Sequence, residues 1–413
     1  MNKTIAAKES KYPWAVCAAC AMVFFTSIGM TPGTFSVHAP FMIDQWGLTN
    51  VQNSTIVSVR TFVGLVTMFF CGAYYKKLSL RMGMTLGVLL GAIGFGVFAF
   101  ADTFAMGCVA AVFTGACYGF AGSIPVSMIL VAWFNRHRML AMSISFAASG
   151  FAAMLVPPIA TYLILRFSLR TAFLCEGIFV LAMAALAYAI LRDKPEDLGL
   201  LPLGGSEELE EKKGKKTVKH LNEYAPNKVS LTLMFVVTFL IGAMNYTAYN
   251  HFSVLYSTSG WDAQSIALLM SLAGFSLLLG KVLCGQLIDL FSARKTAFLF
   301  FGFTFISMIM ATMAANPNFG LHIATMLIYG LGGVLATTGI SAYALDLSTK
   351  ETYGDVVRYS YVIYGASGVV CSFGMGLIAD LTGSYVPAYI GLAVLTILAF
   401  ILLQTAYRLA EKK

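Results

Sequence analysis

The sequence predicts an all-α membrane protein in which twelve transmembrane helices form two pseudo-symmetric six-helix bundles. The composition is the first observation: 58% of the 413 residues are hydrophobic and 11% are charged, whereas a soluble domain carries about 25% charged residues. The second is a series of apolar segments of about twenty residues or more, the length that a helix needs to cross a bilayer. The third is an internal repeat that relates the two halves of the chain.

Twelve apolar segments, separated mostly by short polar loops, give the predicted spans. They run over residues 14–37, 51–75, 82–101, 104–133, 139–165, 171–191, 230–256, 263–290, 296–315, 320–346, 355–379 and 386–408. The short polar N-terminus has no small-residue cleavage site, which predicts a retained first span and not a secretory signal.

Three short motifs recur in the same order in both halves, 211, 218 and 213 positions apart. The matched pairs begin at Tyr118 and Tyr329, at Phe146 and Tyr364, and at Gly72 and Gly285. Offsets close to half the chain length indicate two related six-span units. We therefore predict bundles at 1–191 and 230–413, joined by a charged, apolar-poor cytoplasmic linker at 192–229.

The positions of Lys and Arg predict that both termini are cytoplasmic. With the N-terminus inside, 23 of the 27 basic residues lie in cytoplasmic segments and two, Arg166 and Arg170, lie in outer loops. This bias is typical of a multi-pass protein of the cell membrane. The two remaining basic residues, Arg60 and Lys281, lie within spans.

Several function classes are excluded by pattern. The net charge of +8 is spread over short loops between apolar spans, which argues against nucleic-acid binding. All eight cysteines lie in apolar segments and are expected to be buried, inert thiols; Cys17 and Cys20 have CxxC spacing, but no second pair or ligand-spaced His accompanies them. We therefore expect no metal and no cofactor. The absence of P-loop, nucleophile-elbow, zinc-protease and dinucleotide motifs predicts that the protein is not an enzyme.

The segment from Gly285 to Lys295, GQLIDLFSARK, has a Gly, an Asp four residues later and a basic pair. It resembles the loop signature of the major facilitator superfamily, and the resemblance extends over essentially the whole chain. The resemblance implies alternating access and a cytoplasmic gate loop at Asp289, Arg294 and Lys295. In the matching loop of the first half, Lys76 stands where the family usually has Asp.

Within the superfamily the chain is similar to the monocarboxylate transporter and oxalate/formate antiporter branch. The stretches that carry the similarity are KYPWAV, WFNRHRMLAMSISFAASG, RDKPEDLGLLP and GLIADLTGSYVPAY. In that branch a cation that follows a Gly in span 8 is implicated in holding the substrate carboxylate; Lys281 after Gly280 matches this position, with Lys in place of the usual Arg. The oxalate exchangers carry a second cation in span 11, but no Lys or Arg lies between Arg358 and Arg408.

Lys281 is also the leading site candidate on physical grounds. It lies roughly 12 Å inside the apolar slab if Asp289 marks the membrane surface. An ammonium group there costs several kcal/mol unless it faces water, a counter-ion or a substrate. A lysine at this depth could also snorkel to the cytoplasmic surface.

Arg60 lies within span 2, nearer the outer surface. It is a second candidate anion contact, a candidate part of an external gate, or a structural cation bonded to carbonyl groups. If Arg60 and Lys281 both face one cavity, a dicarboxylate becomes a candidate substrate.

Other polar residues inside the spans complete the predicted site. The patch NYTAYNH of span 7 needs hydrogen-bond partners in a bilayer. A water-lined cavity or an outer gate would supply these partners, and Asn245 and Tyr249 are candidate substrate contacts. Tyr118 and Tyr329, at matching places in spans 4 and 10, are further candidates, with helix packing as the alternative. His38 and His251 are candidate proton relays or gate residues, or else hydrogen-bonded structural residues, and Glu176 is expected to pair with Arg166 or Arg170.

The resemblance and these residues together predict secondary active transport of a small organic monoanion, such as lactate, pyruvate or formate, coupled to protons or to anion exchange. A dicarboxylate antiporter, a non-transporting membrane sensor and a neutral-solute facilitator remain alternatives. The expected partners are the organic anion, a proton or counter-anion, and the lipid bilayer. We expect a monomer that binds no nucleic acid.

Overall fold

The computed structural model describes residues 11–33, 35–135, 137–204, 224, 227–349 and 352–411, with the backbone alone at positions 138, 139, 282 and 289. In these ranges the regular structure is helical, and extended pairing is limited to two isolated bridges, Phe134 with Leu203 and Tyr224 with Glu411. The predicted all-α class is therefore confirmed.

Twelve helical segments of the described chain are long and apolar enough to cross a membrane, and we number them spans 1 to 12. Their bounds are Tyr12–Val37, Asn50–Lys77, Leu80–Phe100, Phe104–Trp133, Leu140–Arg166, Leu169–Ile190, Lys228–Thr258, Ala263–Ile288, Ala293–Ala311, Phe319–Asp346, Tyr353–Thr382 and Val386–Ala410. The predicted ends lie within four residues of these bounds. The helices of spans 5 and 8 run slightly further, as Arg138–Arg166 and Ala263–Phe291.

Four spans contain irregular helix, which the sequence pattern did not predict. Spans 1 and 7 hold π-helical segments, Phe25–Met30 and Ala243–Thr247, after α-helices Tyr12–Phe24 and Lys228–Gly242. The remaining pieces are Phe35–Val37 in span 1, Phe104–Phe120 and Ser123–Trp133 in span 4, Ala248–Thr258 in span 7, and Phe319–Gly332, Gly333–Ala336 and Thr338–Asp346 in span 10. The two π-helical segments begin 218 positions apart, which matches the internal repeat. Irregular backbone at membrane depth is tolerated where protein or a water-filled cavity covers it.

Capping side chains in the local sequence mark where seven of the helices begin. Side chains at seven N-caps accept hydrogen bonds from first-turn N–H groups that no helical carbonyl can reach. These residues are Thr49, Ser79, Thr103, Ser168, Asn227, Asp262 and Asn318. Two short helices, Ala39–Trp46 after span 1 and the 3-10 turn Pro195–Leu198, lie outside the spans.

The buried apolar side chains divide between the two halves of the chain. One cluster joins spans 1 to 6 and contains Trp133 and Phe173, and two clusters join spans 7 to 12 around Tyr389 and Tyr407. On the outside, large apolar side chains are bare; Phe69 is 80% and Leu381 is 77% exposed. An exposed apolar belt on a folded chain is the surface that lipid covers in a multi-pass membrane protein.

The molecule has two ends, which we name by the chain termini. At the terminal end, Tyr12 Oη donates to Ile190 O (2.6 Å) and Asn227 Nδ2 donates to Leu409 O (2.9 Å). The opposite end, where span 2 begins, is the far end.

Spans 2 and 11, and spans 5 and 8, pack across the boundary between the bundles. Ser58 Oγ donates to Val369 O (2.8 Å), and Ser271 Oγ donates to Met154 O (2.7 Å). At the far end, Asp380 of span 11 accepts hydrogen bonds from the first residues of span 2. These hydrogen bonds lie between the middle of the spans and the far end, and they hold the bundles together there.

Candidate functional site

Lys281 lies on the face of span 8 that is turned toward the first bundle. On this helix Ser271, Gly274 and Leu278 contact span 5. Lys281 follows Gly274 by seven residues, nearly two full turns, so both point to the same side. The side chain is half-buried and has no hydrogen bond or ion pair with the described side chains. Helical phase therefore puts the predicted cation at the boundary between the bundles, and its contact with substrate stays a prediction.

Arg60 is a cation buried between the bundles. It is 2% exposed, with Nη1 donating to Thr31 O (3.1 Å) and Nη2 donating to Asn250 Oδ1 (3.1 Å). Its guanidinium lies over the Phe35 ring, 4.6 Å from the centroid. No carboxylate of the described residues lies within ion-pair distance, so neutral carbonyl groups and one ring replace a counter-ion. Because Asn250 belongs to span 7, Arg60 also ties the two bundles together.

The polar patch of span 7 finds its expected partners on span 2. Thr61 Oγ1 lies 2.7 Å from Tyr246 Oη, and Ser54 Oγ lies 2.9 Å from His251 Nε2. His251 Nδ1 lies 2.8 Å from Thr247 O. Since a carbonyl oxygen only accepts, a neutral His251 donates through Nδ1 and accepts the Ser54 hydroxyl at Nε2. His251 is fully buried and bridges the bundles, and its role as a proton relay or gate residue stays a prediction.

Tyr118 lies in a group of tyrosines that sequence reasoning found only in part. Tyr246, Tyr361 and Tyr364 lie in its neighbourhood. Its ring lies against Gly64 of span 2, and the rings of Tyr246 and Tyr364 meet edge to face with centroids 6.3 Å apart. The phenols come from both bundles and supply donors near the boundary. The sequence feature that could have revealed this group is the pair Tyr361 and Tyr364, which lie one helical turn apart on span 11.

The hydroxyl of Tyr329, which was predicted to contact substrate, is hydrogen-bonded within the second bundle. Its hydroxyl donates to Asn245 O (2.5 Å) in the π-helical segment, and its ring stacks on Tyr249 with centroids 6.4 Å apart. Asn245 Nδ2 donates to Ile241 O (3.3 Å). Asn245 Oδ1 and Tyr249 Oη are buried without a hydrogen-bond partner in the described part of the chain. These two polar atoms retain binding capacity, whereas the Tyr329 hydroxyl is engaged.

His38 lies directly after span 1 and contacts span 6 of the first bundle. Its Nε2 is 3.2 Å from Glu176 Oε1, and the two residues are 1% and 5% exposed. The expected pairing of Glu176 with Arg166 or Arg170 is therefore wrong. Arg170 lies instead over the Phe100 ring, 4.3 Å from its centroid.

The predicted gate loop is described in part. Arg294 pairs with Glu411, and its Nε donates to Gln404 Oε1 (3.1 Å), so it fastens span 9 to the end of span 12. Lys295 is exposed. The side chain of Asp289 lies outside the described residues. The gating role of this loop stays a prediction.

Metal and thiol chemistry have little support. No group of three or more His, Cys, Asp or Glu that could hold a metal ion occurs in the described ranges. Five of the eight free cysteines are buried as expected, Cys108 and Cys371 are half-buried, and Cys175 is exposed.

Comparisons with known proteins agree with this architecture. The family model for the Major Facilitator Superfamily matches residues 17–357 and 231–413. A bovine monocarboxylate transporter 13 is 26% identical over 272 residues, 64% of this chain and 59% of that protein. Monocarboxylate transporter 12 of Rattus norvegicus is 23% identical over 92% of this chain and 82% of its own. The chain thus spans about three fifths of the bovine protein.

Solved structures of transporters share the fold at low identity. A D-xylose-proton symporter superposes with a TM-score of 0.73 at 14% identity, covering 95% of this chain and 97% of that one. The nucleoside transporter NupG gives 0.71 at 11% identity, covering 97% and 100%. These likenesses concern the fold alone. The match of the family model across both halves shows that the chain belongs to the major facilitator superfamily.

Proposed function

We propose that the protein is a secondary active transporter of a small organic monoanion, a monocarboxylate such as lactate, pyruvate or formate. One observation carries the proposal: two cations, Arg60 and Lys281, lie at the boundary between the bundles and have no carboxylate partner among the described residues. The names of the bovine and rat relatives support the same substrate class.

A carboxylate at this boundary would lower the cost of burying the cations. An unpaired ammonium or guanidinium loses several kcal/mol of hydration in a dry interior, and an anion that enters with its own charge offsets that loss. Substrate binding would then favour closure of the cavity around Lys281, the differential stabilisation that alternating access requires.

The mechanism proposed is a rocking of bundles 1–191 and 230–413, joined by the linker at 192–229, about a central site near Lys281. If the protein lies in the plasma membrane with both termini in the cytoplasm, the far end is extracellular. The ties of Asp380 and Arg60 to the opposite bundle would then hold the outer side closed. The moving unit is a monomer, driven by proton coupling or by anion exchange.

Counterflow in proteoliposomes tests the proposal. Vesicles are preloaded with unlabelled acid and given labelled lactate, formate or oxalate outside, with and without a pH gradient. Accumulation of a monoacid is expected, driven by protons if symport operates and requiring an internal anion if exchange operates. Lys281→Gln should abolish it while the protein still reaches the membrane, and Lys228→Gln, at an exposed lysine where span 7 begins, is the matched control. Wild-type uptake by the Lys281 variant would contradict the assignment.

Dicarboxylate exchange is a second candidate because Arg60 supplies a second buried cation without a carboxylate partner in the described chain. Competition between mono- and dicarboxylates in the same vesicles separates the two. Oxalate flux that is lost in both Arg60→Gln and Lys281→Gln would favour the dicarboxylate. Flux of none of the three acids would favour a neutral-solute facilitator or a sensor.

A further inference from the structure

The His38–Glu176 pair is a buried titratable site that the proposed anion site does not use. Its two side chains come from the end of span 1 and from span 6, with Nε2 and Oε1 3.2 Å apart. The imidazole stacks on Phe173, with centroids 4.5 Å apart and the rings 16° from parallel. Neither His38 nitrogen and neither Glu176 carboxylate oxygen has a hydrogen-bond partner among the described atoms, so the contact between the two side chains is one of charge at 3.2 Å. The pair is thus buried beside an aromatic ring, and each member is the other's charge partner.

His38 lies where the first bundle packs against the second. It lies between the 3-10 turn Phe35–Val37 and the short helix Ala39–Trp46; its N–H donates to the carbonyl of Phe35 (3.1 Å), and its own carbonyl accepts from the helix that follows (3.0 Å). The next residue, Ala39, is 1% exposed and packs in the apolar cluster of the second bundle. The segment that His38 anchors is therefore a part of the first bundle that closes the far end.

The net charge of the His38–Glu176 pair depends on whether the pair itself carries a proton. Arg60 is the buried cation on span 2; its guanidinium lies over Phe35, Phe35 packs on Phe98, and Phe98 stacks on the Phe173 ring that also stacks on His38. The charged groups on the other surrounding elements are exposed at the surface: Asp44, Asp102, Arg166 and Arg170. With one proton on the pair, it is neutral overall. Without it, a carboxylate would be buried beside a neutral imidazole, which costs several kcal/mol unless water enters.

We propose that His38 and Glu176 form a proton-binding site that controls closure of the far end. With the proton bound, the neutral pair can stay dry, and the segment Phe35–Trp46 remains packed on spans 7 and 8. When the proton leaves to water, the bare carboxylate is hydrated most readily if this segment lifts, so the far end opens. The proton passes between water and the pair, and no other bond changes. This inference rests on alternating access but not on the identity of the transported anion.

Thiol labelling at the far end tests the coupling. Ser257 lines a cavity of about 260 Å³ between the segment and span 7, together with Val37 and Asp44. In a background without native cysteines, Ser257→Cys is labelled by a water-soluble maleimide at a series of pH values. Thr258→Cys, exposed on the neighbouring position, reports the intrinsic pH dependence of the reaction.

The labelling ratio of these two sites should rise with pH in the otherwise unchanged protein. Glu176→Gln keeps the shape of the side chain but cannot carry a negative charge, so the ratio should be low and independent of pH. His38→Gln should shift the response, since the carboxylate loses its partner, and it serves if the Glu176→Gln protein does not fold. Asp102→Asn, an exposed carboxylate at the same end, should retain the full response.

Two results would overturn the proton site: a ratio that does not change with pH in the parent protein, or a parent-like response in Glu176→Gln. Neither depends on counterflow. If labelling follows pH as expected but no anion is transported, the proposed substrate is wrong and the proton site stands. If anions are transported and labelling ignores pH, the reverse holds.

Discussion

Asp380 makes three hydrogen bonds between the bundles at the far end, and its removal has a calculable effect. One carboxylate oxygen accepts from Asn50 N (3.1 Å) and Asn50 Nδ2 (2.8 Å), and the other accepts from Val51 N (3.0 Å). The carboxylate from span 11 therefore caps the positive end of span 2 across the boundary between the bundles. Asp380→Ala removes all three hydrogen bonds and the charge at once.

The expected loss follows from the geometry and the exposure. Hydrogen bonds to a charged acceptor contribute about 1.5–3 kcal/mol when they are well protected, but Asp380 is exposed, and exposed ionic contacts contribute about 0–1 kcal/mol. A charge at a helix terminus adds about 0.3–1 kcal/mol. We therefore expect the closed far end to lose about 0.3–2 kcal/mol, which shifts its equilibrium with the open form roughly 2- to 30-fold.

Labelling of Ser257→Cys reports this shift, because the half-buried side chain should gain exposure in molecules whose far end is open. Asp355→Ala is the control; Asp355 lies on the same span and has an exposed ion pair with Arg358 in its own helix. Asp380→Ala should label several-fold faster than its parent, and Asp355→Ala should match the parent. Equal rates for the two variants would refute the view that the helix cap holds the bundles together.

Three further predictions concern single contacts. Gly376→Ala should loosen the far end, because its new methyl group would overlap the backbone of span 2, whereas Gly374→Ala meets open space on the same helix and should leave labelling unchanged. Tyr329→Phe removes a bonded hydroxyl and should cost about 1 kcal/mol of stability; Tyr249→Phe removes a buried hydroxyl without a partner in the described chain and should cost nothing. Asp262→Ala removes the cap of span 8 and should cost about 1 kcal/mol at neutral pH. A serine hydroxyl in the first turn donates to this carboxylate and lowers its pKa, so the loss should vanish as the pH falls through that lowered pKa.

Each of these has a contrary outcome. Equal labelling of the two glycine variants would mean that spans 2 and 11 are not in close contact at the far end. Equal thermal unfolding midpoints in detergent for the two Tyr→Phe variants would remove the role of the Tyr329 hydroxyl in holding span 7. A deficit of Asp262→Ala that persists at acid pH would show that the ionised cap is not its cause.

The twelve spans were predictable because a bilayer imposes a simple rule on sequence. A segment must be apolar for about twenty residues, and loops must carry the charges. Capping side chains such as Thr49 and Asp262 also stand at their expected places before the apolar runs. The position of Lys281 on the boundary face needed one fact more, the contact of Gly274 with span 5. The depth of Lys281 follows from counting residues, whereas its direction depends on how the helices pack.

The irregular helices and the Glu176 partner were not predictable for a different reason. A π-helical turn such as Ala243–Thr247 is set by contacts with other spans, and local propensity carries little trace of it. His38 and Glu176 are 138 positions apart, so their contact depends on how spans 1 and 6 rotate and pack. Arg166 and Arg170 were closer in sequence and hence the obvious partners, but both are exposed at the surface of the bundle.

The tie made by Arg60 shows how an anion could act on the gate as well as occupy the site. The guanidinium is bonded to two neutral carbonyl oxygens, one of them in Asn250 of the opposite bundle. A carboxylate is the stronger acceptor, since it brings a full negative charge and can accept two parallel N–H bonds from a guanidinium. A substrate that reaches Arg60 would therefore displace Asn250 and remove a link between the bundles at the moment that it neutralises the cation. In the proposed mechanism, charge compensation and the first step of opening the far end are then one event, and the ties of His251 and Asp380 would be broken after it.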